Sequence, residues 1–129
     1  MTDLSMFDYE TKAEQGFDLE VLHPQTNKPT GIVIKLVGKD SQTFEKAQAD
    51  FQRSIKDVGA NDRDANLAIA CNLIADCTVG WSGIEENGKE VPFSNKAAAD
   101  IYKRYKGVRE QADRAITQRS RLFQNDKED

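Results

Sequence analysis

Catalytic relays pair a nucleophile with a base, most often a histidine. This chain has one histidine, His23, directly before Pro24 at what reads as a strand end. There it offers a hydrogen-bonding turn residue and no metal site, and no serine or cysteine can draw on a second imidazole. Cys71 and Cys77 lack metal-ligand spacing and fall in an apolar helical stretch, so buried, reduced thiols are expected. A bridge between them within one straight helix is disfavoured, because six residues at 1.5 Å rise set the Cα atoms about 9 Å apart. Asp62 and Asp64 could share a metal or a proton, but just before a helical stretch they read as a cap and a dipole partner. The Gly38-Lys39 pair lacks the rest of a Gly-x4-Gly-Lys-Ser/Thr phosphate loop, and no Gly-x-Gly-x-x-Gly occurs. These residue types and spacings support no catalysis, and neither cofactor nor metal is expected.

The side chains left with work to do are aromatic. Trp81 is the only tryptophan; Phe93, Tyr102 and Tyr105 follow within 24 residues. Tryptophan and tyrosine combine large contact area with few rotatable bonds, which suits both a core and an interface. Trp81 reads as the end of the central helix's apolar stripe, anchoring the loop that follows. The four together are expected to border the surface that meets a partner.

The elements that must position them read as follows. "FDLEVLHP" alternates, with Phe17, Leu19 and Val21 on one side and Asp18 and Glu20 on the other, which is a half-buried strand ended by Pro24. "QTNKPTG" is turn chemistry, and "IVIKLVG" is a second strand, giving a β-hairpin too small to stand alone. From Asp40 the period becomes helical, capped by Asp40 or Ser41, with Phe44, Ala47, Phe51, Ile55 and Val58 on one stripe up to Gly59. "ANLAIACNLIADCTVGW" is the most apolar helix, its face built from Leu67, Ala70, Cys71, Ile74, Thr78 and Trp81. Gly80 and Gly83 end it, and Asn87-Gly88 marks a tight turn in the loop to Phe93. Ser94 caps a helix whose apolar side is Ala97, Ala98, Ile101, Tyr102 and Tyr105; Gly107 permits a bend, and a last helix runs from Val108 to Phe123. The expected fold is α+β and mainly α, an N-terminal β-hairpin followed by about four helices. Residues 1–15 are expected to be a flexible N-terminus, 16–123 a single domain, and 124–129 a charged flexible tail.

Length and charge bound the rest. The 129 residues suit one domain that needs neither disulfide nor metal for its core. A net charge of −4 argues against a general nucleic-acid binder. No apolar run approaches the roughly 20 residues of a membrane span, and the start lacks a signal peptide's pattern, so a cytosolic protein is expected. Charge is divided unevenly. Lys96 to Arg121 holds eight basic and three acidic residues, against 10 and 19 elsewhere, or +5 against −9. That split is either a solvated helix face or two unlike ends suited to head-to-tail contacts between copies.

"HPQTNKPTGIVIKLVGKDSQTF", from His23 to Phe44, resembles the strand–turn–strand–helix opening of the tail assembly chaperones of long-tailed bacteriophages. "GWSGIEENGKEVPFSNKAAADIY" is similar to a later signature of that family, a Trp-x-Gly, a glycine-containing loop and a Pro-Phe-Ser helix start. "VREQADRAITQRSRLF" resembles its last helix. The resemblance covers about residues 17–123 and is nearest to siphophages with lambda-like tail genes. It implies a non-catalytic protein of the infected host's cytoplasm, absent from the mature virion. Such chaperones bind the tape measure protein, keep it soluble, self-associate, and promote polymerisation of the tail tube protein around it. Many are made in two lengths by a programmed frameshift, the longer form contacting the tube subunit; this chain would be the short form. The resemblance supplies no residue-level binding map. Two other readings stand beside it: a structural component of the tail or head–tail joint, and a small regulatory nucleic-acid-binding domain using the basic helices.

Overall fold

A computed structural model describes residues 1–59 and 61–127, with side chains through Phe123. The tail expected to be flexible at 124–129 therefore lies largely outside the described residues. In chain order a 3-10 turn (Leu4–Phe7) leads into α1 (Tyr9–Gln15), then β1 (Phe17–Leu22) and β2 (Pro29–Leu36). Two helices follow, α2 (Gln42–Val58) and α3 (Arg63–Asp76), then β3 (Thr78–Ser82), β4 (Glu85–Glu86) and β5 (Lys89–Glu90). The chain closes with α4 (Asn95–Arg104), α5 (Lys106–Thr117) and a 3-10 segment (Arg119–Lys127). The fold is mixed α+β with the expected N-terminal hairpin and a helical majority.

The alternation of β1 places Phe17, Leu19 and Val21 inward and Asp18 and Glu20 outward, as its pattern requires. β1 pairs antiparallel with β2 in the register Phe17↔Leu36 and Leu19↔Ile34, so the apolar sets of both strands share one face. That face packs with Tyr102, Ala112, Ala115 and Ile116 from α4 and α5, and with Cys71, Ile74 and Ala75 from the second half of α3. Local capping chemistry sets the helix starts. Ser41, Asp62 and Ser94 each accept an N–H three residues on, from Phe44, Ala65 and Ala97.

The structure adds one element and corrects two expectations. Within residues 1–15, α1 forms behind an Asp8 cap, and Ala13 is fully buried against the core. Seven residues give too little apolar periodicity to see, and the helix is held by tertiary packing. The central helix also stops at Asp76, five residues before Trp81, and Thr78–Ser82 forms a third strand, in sheet order β1-β2-β3. Thr78, Val79 and Trp81 favour strands, and the open side of β2 offers ladder bonds that a further helical turn would forgo. The break between the last two helices falls at Tyr105 rather than Gly107. There Arg109 Nη1 donates to the carbonyl of Tyr102 at 2.9 Å, closing the end of α4.

Candidate functional site

β3 carries Trp81 into position. Its register with β2, Ile34↔Trp81 and Lys35↔Gly80, with an irregularity around Val79, puts the indole on the core side of the sheet. There it is half-buried. The indole Nε1–H donates to the carbonyl of Val91 at 2.9 Å. Phe93 meets the ring edge to face, with centroids 5.0 Å apart and planes at 87°. Such a pair is worth about 0.5–1.5 kcal/mol beyond the area it buries. Phe93 keeps 36% of its surface exposed, so the pair is anchored on one side and open on the other.

Between Trp81 and Phe93 the chain makes the small hairpin β4–β5. Asn87 and Gly88 both take positive φ, 53° and 79°, which is the conformation the two-residue turn needs and the reason for that residue pair. Ile84 is buried beneath it, and Val91 N–H donates to the Ile84 carbonyl. The hairpin's other side is clamped by α4. Glu86 accepts from the Tyr105 hydroxyl at 2.8 Å and from Arg104 at 2.7 and 3.0 Å. The Arg104 guanidinium lies 5.6 Å from the Tyr105 ring centre. These bonds, the Tyr105 hydroxyl first, hold the Glu86 carboxyl below its ordinary value, and Glu86 in turn pushes the Tyr105 hydroxyl up.

Three of the four expected docking residues therefore flank one hairpin: Trp81 and Phe93 on one side, Tyr105 on the other. Tyr102 does not join them. It is fully buried, its hydroxyl 2.7 Å from Thr78 Oγ1, and it belongs to the core rather than to any surface. On α4 it sits one turn after Ala98 and next to Ile101, and all three are buried. The Glu86–Arg104 clamp escaped sequence reasoning, because nothing local links a hairpin acid to a base 18 residues on.

The other candidates take structural roles. His23 Nδ1 accepts from Gln25 N–H at 3.2 Å, and its backbone closes the β1–β2 turn with Asn27 and Lys28. Cys71 and Cys77 are free and buried; burial raises both thiols, Cys77 to about 12. Part of the basic stretch is consumed internally. Arg119 makes a two-pronged contact with Asp40 at 2.8 Å, and Arg109 caps α4. Among the described residues no group of three or more His, Cys, Asp or Glu side chains could hold a metal ion, and no helix is long and apolar enough to cross a membrane. Comparison with known proteins found no matching family model, curated protein or solved structure.

Proposed function

We propose that the chain is a non-catalytic tail assembly chaperone of a long-tailed phage. It binds the tape measure protein, keeps it soluble in the cytoplasm of the infected host, and promotes polymerisation of the tail tube protein around it. Self-association of many copies along the tape measure, contact with the tube subunit through a frameshift-extended form, and absence from the mature virion belong to the same reading. The observation that carries it is the pre-ordered aromatic edge at β4–β5. Phe93 is exposed yet already fixed against Trp81, and Tyr105 is exposed yet fixed by Glu86. Large side chains immobilised before binding lose little entropy when a partner arrives. α3 adds support. Ala65, Leu67, Ala68, Ile69 and Ala70 on it are only half-buried, leaving further apolar surface for a helical client. The resemblance in residues 17–123 supplies the identity of that client.

Co-expression with the tape measure protein of the same genome tests the reading. The expected result is a soluble, co-eluting tape measure protein carrying many copies of this chain. A tape measure protein that still precipitates, with this chain and with any frameshifted longer form, overturns it. One observation favours a tail structural component instead: β3, β4 and β5 make the chain richer in strands than a hairpin with four helices. Finding the chain in purified particles would decide for that reading.

A further inference from the structure

β1 is an edge strand, in sheet order β1-β2-β3, and its outer side is closed at one position. There the Gln111 carboxamide accepts from the Leu22 N–H and donates to the Leu22 carbonyl, both at 2.9 Å. An amide group thus already sits on this edge where the backbone of a neighbouring strand would. Backbone groups alternate in direction along a strand, so Glu20 and Asp18 also point their N–H and C=O outward. The register irregularity between Glu20 and Leu22 adds residues to β2 and none to β1, so the alternation holds. β2 gives the same phase. Val37 N–H donates to the Cys77 carbonyl, which turns Val37, Lys35 and Val33 toward β3 and leaves Leu36 and Ile34 facing Phe17 and Leu19. Among the described residues no hydrogen bond from outside the sheet reaches Glu20 or Asp18. Beside them lies an open cleft of about 310 Å³, bordered by Leu19, Glu20 and Leu22 of β1 and by Gln111 and Arg114 of α5.

Unpaired strand backbone selects an extended chain, since a helix keeps its own N–H and C=O groups bonded. Side chains narrow the choice. Asp18 and Glu20 are exposed on the solvent face of the sheet. Among the described residues no ion pair reaches either, although Lys35 stands opposite Asp18 on β2. Residues opposite one another on neighbouring strands are close enough for unlike charges to attract and like charges to repel. The cleft itself is mixed in charge, with Arg114 and Arg121 beside Glu110, so the selection comes from the solvent face. The same rule rejects a second copy. Pairing β1 with another β1 through these positions sets Asp18 and Glu20 against the same acids of the copy. The copy's other edge offers little: β3 is irregular around Val79 and leaves the sheet at Gly83, so Trp81 alone points outward regularly.

We propose that the β1 edge binds an extended segment of another protein, which adds as a fourth strand beside Asp18 and Glu20 and carries lysine or arginine at alternate positions on the solvent face. Backbone pairing supplies the affinity, and the two acids admit basic strands while rejecting acidic ones. Gln111 ends the added strand at Leu22. β2 separates this edge from β3 and the Trp81–Phe93 pair, so the inference does not rest on the chaperone reading.

The test uses the full chain at low salt and fluorescein-labelled synthetic peptides of about eight residues, within the usual length of a strand. The probe alternates lysine with threonine, a strand former. One control replaces the lysines with glutamates. A second keeps the lysines on a backbone whose every N–H is methylated, so it retains the charge and cannot donate to a strand. Anisotropy is expected to show saturable binding of the probe and none of either control. Amide exchange followed by NMR should slow at Asp18 and Glu20 when the probe is added. The Asp18→Asn/Glu20→Gln double variant alters only exposed side chains, so its circular dichroism should match the parent, and it should bind the probe about fivefold more weakly. Failure of the probe to bind, equal binding of either control, unchanged exchange at the two amides, or equal binding by the double variant overturns the proposal. So does protection of those amides that grows with the concentration of the chain alone, since the edge would then belong to a second copy.

Discussion

The Tyr102 hydroxyl lies 2.7 Å from Thr78 Oγ1 in a fully enclosed part of the core, and Thr78 Oγ1 lies 2.9 Å from the carbonyl of Ile74. A threonine hydroxyl has one proton, and the Ile74 carbonyl can only accept. Thr78 therefore donates to Ile74, and Tyr102 donates to Thr78. One hydroxyl chain thus joins α4, the start of β3 and the end of α3.

That order predicts unequal costs. Tyr102→Phe removes a donor and leaves Thr78 still bonded to Ile74, so it should cost about 1 kcal/mol. Thr78→Val leaves the Tyr102 hydroxyl buried without an acceptor and should cost more, about 1–3 kcal/mol. Urea unfolding of both single variants and the double variant checks this. The double variant should lose less than the two singles combined.

Burial makes both thiols unreactive. Iodoacetamide at pH 8 should label neither Cys71 nor Cys77 in the folded protein and both in denaturant, as counted by mass spectrometry. The same burial makes stability fall in alkali. Cys77 and Tyr102 are each held at about 12 in the fold, above ordinary values of 9.0 and 10.0. The unfolded chain releases those protons first, so the stabilisation is present below pH 9 and is lost as pH climbs toward 12. The urea midpoint should decline from pH 9 upward, and Cys77→Ala should flatten the first part of that decline.

At the acid end the sign reverses. The Arg119 hydrogen bonds hold the Asp40 carboxyl below its ordinary 3.8. Its contribution is therefore present above pH 3.8 and disappears as pH falls through the lowered folded value. Asp40→Asn should lower the melting temperature at pH 7 and leave it close to the parent's at pH 2. Differential scanning calorimetry at the two pH values reads the difference.

Gly83 tolerates no side chain. Its φ is +81°, and an added Cβ would collide with the carbonyl oxygen of Gly31 where β3 leaves the sheet. Gly83→Ala should cost about 1–3 kcal/mol through strain and a shifted strand end, read by urea unfolding.

Phe93→Ala should reduce the yield of soluble tape measure protein in co-expression while costing only about 1 kcal/mol of stability, since the residue is partly exposed. Tyr105→Ala should act alike. Tyr102→Ala should instead lower stability by about 3–5 kcal/mol. If Phe93→Ala and Tyr105→Ala leave co-solubility untouched, the docking edge is misplaced.

What could be read from sequence was what is decided locally. Ser41, Asp62 and Ser94 announce helix starts because a short side chain bonds an N–H three residues away. Asn87-Gly88 announces its turn because both residues tolerate positive φ. Leu19 and Val21 alternate with acids because one sheet face is wet. β3 was hidden because Thr78 and Trp81 continue the helical spacing of Leu67, Cys71 and Ile74 while also being good strand formers. Only β2, some 45 residues earlier, decides between the two. Tyr102 and Tyr105 are three residues apart and would share a face in a continuous helix; α4 ends at Arg104, and Tyr105, in a non-helical conformation, turns outward onto Glu86 while Tyr102 stays inward on Thr78. The N-terminal turn Leu4–Phe7 has no period to read because its apolar residues face outward, where no core imposes one.

The two-pronged bond between Gln111 and Leu22 has a consequence for how the protein is made. The Gln111 carboxamide accepts from the Leu22 N–H and donates to its carbonyl, both at 2.9 Å, filling the place of a neighbouring strand at the free edge of β1. The two residues are 89 positions apart. A ribosome adds residues at roughly 5–20 per second, so β1 emerges on the order of 5–20 s before the side chain that stoppers it. During that interval the β1–β2 hairpin has one edge unpaired and lacks the α4 and α5 side chains that complete the cover of its apolar face. Release of the C-terminal helices is therefore the step that ends the nascent chain's exposure to wrong strand partners.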